Sequence, residues 1–480
     1  MVQASPDLYS ATISFVSLKQ LHNIKRKLSL MNKSFSTLSI IAGTFGQFLC
    51  GQASAEFLKD SKAALTLRNF YINQDPRTID RPRVEQWGQG FILDYKSGYT
   101  EGPVGFGLNL LGTYAIRLDD GGRTGKSDLK RMPGETFPQS NGKSVNEFGR
   151  LGVTAKMRYS ATELQAGTIL PKVPVVTYND GRLLPQTFEG VQITSKEVDN
   201  VLITAGRLER STERNSSNSD SLSIMGSNNR QTGKFSNQFY YTAIEYKPVK
   251  NLQLQYNFGK LQDFYKQNFF GLIHDLQFPV GSLKTDLRYF HNEATGKNAS
   301  RSGRAEGYRS NGHWNTGDPD RYKVDNKLWS AQFIYSLSGH SLKAGYQKVT
   351  GKSDFPSIAP DGGTGRPTYV ITRSNTQAAQ FFSAGEKTWL VGYGYDFAKL
   401  GLPGLKFDTT YYKGSNIKDV GNDAREWARD INLSYQVQNG MLKGLGVVWR
   451  NGIWRGNDSS AFAVDRDENR VIVNYTLNLL

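Results

Sequence analysis

The side chains with the clearest chemical meaning are basic ones placed at alternate positions among apolar neighbours. Arg68, Lys96, Lys156, Arg158, Lys284, Arg288, Lys343, Lys406, Arg450 and Arg470 all stand in that pattern. Against them stand Asp94, Asp275, Asp286, Asp396 and Asp408. An excess of fixed positive charge along a narrow passage with low-dielectric walls concentrates anions and steers carboxylates inward. A spaced row of such groups lets a carboxylate step between similar sites without a deep trap. Arginine suits this role because its fork pairs a carboxylate through two hydrogen bonds. The plainer reading is that these cations pair with the acids and merely solvate a wall. For any single residue the two readings are even; for the excess as a whole the passage reading is favoured.

A second group lies in the connection 170–186, which carries Pro171, Pro174 and Pro185 and a single glycine, Gly181. A stiff segment between two strands of a large barrel can fold inward and narrow a channel. Tyr178, Asn179, Asp180 and Arg182 are its candidate solute-contacting groups. The competing reading is a surface loop with a turn at Asn179-Asp180-Gly181.

Patterns for covalent chemistry are weak. Thr124-Gly125-Lys126-Ser127 resembles the end of a phosphate-binding loop, but position 120, where the earlier glycine belongs, is Asp120. The 5 histidines show no metal-ligand spacing. His274 and His291 fall on an apolar face, where an interfacial side chain is the more frequent role than a lipase site. Arg301, Arg304 and Arg309 with His313 read as a solvated or lipopolysaccharide-facing loop rather than a nucleic-acid site. The sequence therefore calls for no catalytic residue, metal or cofactor.

The elements that must hold these groups are strands. Leu151, Val153, Ala155, Met157 and Tyr159 alternate with Gly152, Thr154, Lys156 and Arg158. Ile431, Leu433, Tyr435 and Val437 alternate with polar residues in the same way. Period-2 patterns of this kind recur along residues 56–480, in segments of about ten residues, the length a tilted strand needs to cross a bilayer. Eighteen such segments can be marked, from 63–72 to 469–479. Short connections, such as Lys247–Lys250, Pro279–Gly281 and Ser338-Gly339, follow long ones, such as 118–147, 209–234, 292–325 and 350–384. Short periplasmic turns, long external loops and an even strand number are the layout of an outer-membrane barrel. Trp87, Tyr95, Trp329, Trp389 and Trp427 are placed for interfacial girdles.

Composition agrees. The chain of 480 residues is 38% hydrophobic, with mean hydropathy −0.51 and formal net charge +16. It lacks the run of about 18 apolar residues that a membrane helix requires. Lys25, Arg26, Lys27 and Lys33 precede the apolar stretch Leu38–Cys50, and Ala53-Ser54-Ala55 has the form of a cleavage site. Residues 1–55 are thus expected to be an export signal, with Met31 an alternative start that would make 1–30 an extension. Residues 56–480 are then one barrel domain, free of cysteine because the single Cys50 leaves with the signal.

LTLRNFYIN (65–73), EQWGQGFILDYKSGYTEGPVGFGLNLLG (85–112), RLLPQT (182–187), AGYQKVTG (344–351), GEKTW (385–389), LPGL (402–405) and RVIVNYTLNLL (470–480) follow one another along nearly the whole chain. In these stretches it resembles the OprD family of outer-membrane carboxylate channels. The resemblance implies an all-β, transmembrane antiparallel barrel of 18 strands, an inward-folded loop 3 and a basic ladder on the wall. It implies passive uptake of carboxylate-bearing solutes, among them amino acids, small organic acids and, for some members, carbapenem antibiotics. Arg450, Arg470 and Arg83 match ladder arginines, and Lys156, Arg158 and Arg288 extend the row, whereas Val448 and Ser434 replace a ladder arginine and lysine. The acids that oppose the ladder from the loop at about 350–384 are replaced by Thr368 and Gln380, with Asp354 and Asp361 nearby. A broader channel with less preference for basic amino acids is expected. Its expected partners are outer-membrane lipid, lipopolysaccharide, small-molecule solutes and the barrel-assembly machinery, as a monomer or weak homotrimer and without nucleic acid. The readings set beside it are a non-selective general porin, an outer-membrane hydrolase and an adhesive barrel.

Overall fold

Backbone groups inside a bilayer must be hydrogen-bonded within the protein, and a sheet achieves this only by closing on itself. The computed structural model describes residues 59–77, 83–119, 135–225, 232–360, 371–372, 374, 381–418, 423–457 and 465–480. The expected signal, Thr124–Ser127, Thr368, Gln380 and Asp361 lie outside these residues.

Eighteen strands make the wall: β1 Lys62–Pro76, β2 Val84–Lys96, β3 Val104–Asp119, β4 Glu147–Tyr159, β5 Thr162–Ile169 and β6 Thr187–Ser195 come first. Next are β7 Val201–Thr212, β8 Phe239–Val249, β9 Leu252–Leu261, β10 Tyr265–Gln277, β11 Ser282–Ala294 and β12 Asp325–Leu337. The last six are β13 His340–Gly351, β14 Lys387–Asp396, β15 Leu405–Lys418, β16 Asp423–Gln436, β17 Gly446–Gly456 and β18 Arg466–Asn478. Each pairs antiparallel with the next, and β18 returns to β1 with Asn474 opposite Arg68. Closure leaves the wall without an edge. Two short strands from connections, Ser219–Ile224 and Ile358–Pro360, join the sheet at the end of β7.

Phe270, Phe333, Leu342, Trp389 and Val391 are exposed on the outer surface, a face suited to lipid. At one end the connections are tight. Ser338 (φ 48°) and Gly339 (φ 89°) make a two-residue hairpin of the kind whose twist matches the flanking strands. The other end carries the long connections. One of these, between β11 and β12, holds the short helices α1 Gly296–Ala299 and α2 Arg301–Glu306. Arg304 is not solvated there: it is buried and donates to the carbonyls of Asn298, Pro319 and Arg321 at 2.7–3.0 Å.

The strands outrun the sequence pattern at the long-loop end. β1 continues to Pro76 and β15 to Lys418, and β16 begins at Asp423. Alternation against lipid marks only the stretch inside the bilayer, whereas the ladder of hydrogen bonds continues beyond it. In that outer half, groups of inward positions are apolar. Phe70, Ile72 and Phe148 pack with Phe137, Leu183 and Leu184 from connections, and Leu390, Tyr412 and Trp454 pack with Ile371 and Phe381. A larger cluster joins Phe239, Leu261, Tyr265, Phe269, Phe290 and Leu328 of β8–β12 to Val173, Val175, Phe355 and Phe382. A polar inner face thus holds for the short-turn half, while parts of the outer half are apolar and packed by loop side chains.

Candidate functional site: a charged inner wall and the segment that meets it

Two rows of inward residues cross β15 to β1. In one, Asp408 stands opposite Asn432, Asn432 opposite Arg450, Arg450 opposite Arg470, and Arg470 opposite Ile72. In the next row outward, Thr410, Asp430, Gly452, Glu468 and Gln74 stand side by side. Like charges directly opposite destabilise a strand pair, so the acidic row beside the basic one is what makes the arrangement tolerable. Arg470 pairs with Glu468, both buried, and the Gln74 Nε2 donates to Glu468 at 2.9 Å. Ser374 donates to Asp430 at 2.8 Å. Arg450 makes no hydrogen bond or ion pair among the described residues and has Asp430 within electrostatic range.

The segment 170–186 meets this wall. Its first part is a small hairpin, Lys172–Val173 with Val176–Thr177, and Val175 packs on Gly259 of β9. Its second part is a closed excursion: the Gln186 N–H donates to Asn179 O at 2.8 Å, and the Asn179 N–H to Gln186 Oε1 at 3.0 Å. Asn179 Oδ1 also accepts from Gly181 N at 3.0 Å, the local turn that this residue type favours. At the tip, Asp180 accepts two bonds from Arg68 of β1, at 2.6 and 3.1 Å. Arg182 is 1% exposed and bound to Glu135, with Nε to Oε1 at 3.0 Å. Burial pushes the Glu135 carboxyl up, but Arg182, Arg214 and Arg466 overrule it and hold it at about 2. Leu183 lies on β2 where Gly88 and Gly90 make room; a Cβ at either would come within 2.6 or 3.0 Å of it. Arg150 of β4 fixes the far end by donating to the carbonyl of Pro185.

The candidate side chains therefore divide by place. Arg450 and Arg470 share the charged wall. Arg288 sits on β11, paired with Asp286 through its Nε at 2.7 Å. Lys156 and Arg158 lie at the short-turn end, both 4.3 Å from the ring centroid of Tyr99, with the Lys156 ammonium donating to Ser97 O at 2.7 Å. They border a cleft of about 510 Å³ with Lys62, Lys96 and Glu101. Arg83 is at the opposite mouth, paired with Asp75 at 3.1 Å. Lys96, Lys343 and Lys406 pair with Asp94, Asp408 and Asp396 at 2.8, 3.5 and 3.0 Å, as the plainer reading expects. Of the four residues in segment 170–186, Asn179 is 4% exposed and Arg182 1%; both brace the segment. Asp180 is 40% exposed at its side chain, and Tyr178 is half-buried against the β8–β12 cluster. Asp354 accepts from Ala384 N at 2.9 Å and so braces its own loop.

Arg68 stood in the sequence pattern without being singled out. Glu135, Asp430 and Glu468 were missed, because nothing local marks an acid that a distant arginine will meet.

A family model described as outer membrane porin, OprD family, matches residues 55–479. The chain is 34% identical over 435 residues to the porin-like protein GalP of Pseudomonas putida, covering 89% of this chain and 95% of that one. The crystal structure of Pseudomonas aeruginosa OccK8 (OprE) superposes with a TM-score of 0.80 at 50% identity, covering 89% of this chain and 100% of its own. Pseudomonas aeruginosa OpdK, solved with vanillate, gives 0.74 at 33% identity over 88% of this chain and 100% of its own. Closed wall, charged inner face and matched length agree: the chain belongs to the OprD family of outer-membrane porins.

Proposed function

We propose that this porin passes small carboxylate-bearing solutes by diffusion, without covalent chemistry, using the arginines of β17, β18 and β1 as stepping sites. The observation that carries the reading is Arg450, held opposite Arg470 yet without an ion pair among the described residues. An unpaired guanidinium beside a paired one presents a fork to which a carboxylate can bind and from which it can leave. The vanillate in OpdK is itself an aromatic carboxylate, which supports the same class of solute here. Small organic acids, amino acids and carbapenems share that group.

Segment 170–186 is the constriction. Its support is the pair of anchors, Val175 on β9 and Asp180 with Leu183 on β1 and β2, which lie far apart around the wall. Asp180 and Tyr178 are then its solute-facing groups, while Asn179 and Arg182 hold the backbone. Lys156 and Arg158 serve the short-turn exit, Arg288 the opposite wall and Arg83 the entrance.

The test is single-channel conductance of refolded protein in a planar bilayer, with ion selectivity from the reversal potential. Benzoate or glutamate should raise current noise in the native channel and far less in R450Q/R470Q. Large openings that ignore both solutes would instead make it a general porin, and folded protein without openings would end the transport reading.

A further inference from the structure

The outward face of β12–β15 carries charge that solute passage does not use. Lys327, Lys348, Lys387 and Lys413 stand on these four consecutive strands, at their long-loop ends. Register places them on the lipid side. Lys348 is opposite both Trp329 and Lys387, and Lys413 is opposite both Trp389 and Trp427, which are exposed tryptophans. Lys327 is opposite Thr350 and shares the face of Trp329, two residues on. None of the four makes an ion pair within 4.0 Å among the described residues. Glu293, in electrostatic range of Lys327, is already paired with Lys266 at 3.0 Å.

Lys348 and Lys387 are direct cross-strand neighbours, a placement that costs stability unless an anion lies between them. Beneath the lysines runs an aromatic layer. Tyr346 is 5.2 Å from Trp329 and 4.3 Å from Trp389, ring centre to centre, and Tyr411 is 5.9 Å from Trp427. Such rings settle at the boundary between acyl chains and headgroups. The lysine stems reach past them and hold the ammonium groups at headgroup level. Four strands place the row over roughly 14 Å, a span that fits a disaccharide phosphorylated at both ends. At the short-turn end of the same strands, outward positions include Tyr335, His340, Leu342, Tyr395 and Phe407, with no lysine or arginine among them. The cations are therefore confined to the leaflet that the long loops face.

We infer that this row is a docking surface for a phosphorylated glycolipid of the outer leaflet, with the lysines on its phosphates and the aromatic layer on its acyl chains. The inference rests on the family's outer-membrane placement and is independent of the carboxylate reading.

Native mass spectrometry of the detergent-purified barrel in EDTA, with added bisphosphorylated lipid A, tests it. The wild type should retain the lipid, and K327Q/K348Q/K387Q/K413Q should lose binding by about tenfold or more, since each basic group near an anionic surface adds to the attraction. The four-arginine variant should bind as the wild type does. Unchanged channel conductance shows that a variant has folded. On the wild type alone, dephosphorylated lipid A and phosphatidylglycerol should both bind at least about tenfold more weakly. Equal binding by either lipid, or full binding by the folded glutamine variant, would overturn the inference.

Discussion

Two stretches of inner wall at the same barrel end have opposite character. On β8–β12 the inward side chains at that end are uncharged: Phe239, Leu261, Tyr265, Phe269, Phe290 and Leu328, onto which connecting loops pack, with the amides Gln267, Asn292 and Asn326 hydrogen-bonded in a row among them. On β16–β18 they include Asp430, Arg450, Glu468 and Arg470, and what meets these is polar: Ser374 on Asp430 and Gln74 on Glu468. The first wall is stabilised by area removed from water. The second stays charged because Glu468 has Arg470 two residues along its strand, and Asp430 accepts from Ser374 and lies within electrostatic range of Arg450; desolvating such charges without partners would cost several kcal/mol. A barrel of this width can be filled on one side and left charged on the other, so stability and solute contact need not compete for the same residues.

The comparison is sharpened most by truncating the packed wall. Phe290 is fully buried between Phe269 and Phe355, at 4.6 and 4.9 Å between ring centres. Phe290→Ala should cost about 3–5 kcal/mol in denaturant unfolding from lipid vesicles. Arg450→Gln should move the same midpoint by less than about 1 kcal/mol, and equal losses would erase the distinction between the walls. Next in size, Gly90→Val places a side chain where Leu183 and the Leu183 carbonyl lie, at 3.0 and 3.2 Å. Overpacking of about 1–3 kcal/mol is expected, together with a larger unitary conductance as the segment lifts; unchanged conductance would separate segment 170–186 from the constriction. Arg450→Gln, nearly silent in stability, should lower benzoate flux by on the order of tenfold in vesicle swelling and shift the reversal potential toward cations.

The smallest effect is in pH. Burial, and then the neighbouring Glu426, push the Glu386 carboxyl well above the usual carboxylate range. A raised folded-state pKa means stability that is present at low pH and lost as pH rises through that value. Glu135 is the opposite case: held at about 2, it contributes above the ordinary carboxylate range and is lost as pH falls toward that value. Unfolding midpoints measured against pH should show both slopes. Glu386→Gln should flatten only the loss on raising the pH, and Glu135→Gln only the loss on acidification.

The wall was legible because lipid imposes a local rule. Every second residue of Leu151–Tyr159 must be apolar, and no distant contact is needed to see it. Arg450 and Arg470 were legible for the same reason, being cations on the polar phase of an alternating strand. The apolar filling was not, because Phe70 and Ile72 break the phase only in response to Leu183 and Phe137, which reach them across the fold. Nor was the division of labour within Tyr178–Arg182. A turn at Asn179-Asp180-Gly181 could be read directly, but whether Asp180 meets Arg68 or solvent depends on a partner over a hundred positions away.

By itself, then, the sequence determined a barrel, its strand number and the cations on the polar phase of its strands, since period and turn chemistry act between near neighbours. Only the tertiary structure decided which of those charges are neutralised, which end of the lumen is packed and which lysines align on the lipid face. Those outcomes depend on strand register and on loop side chains meeting a wall built from remote segments, and neither is encoded in any one stretch of chain.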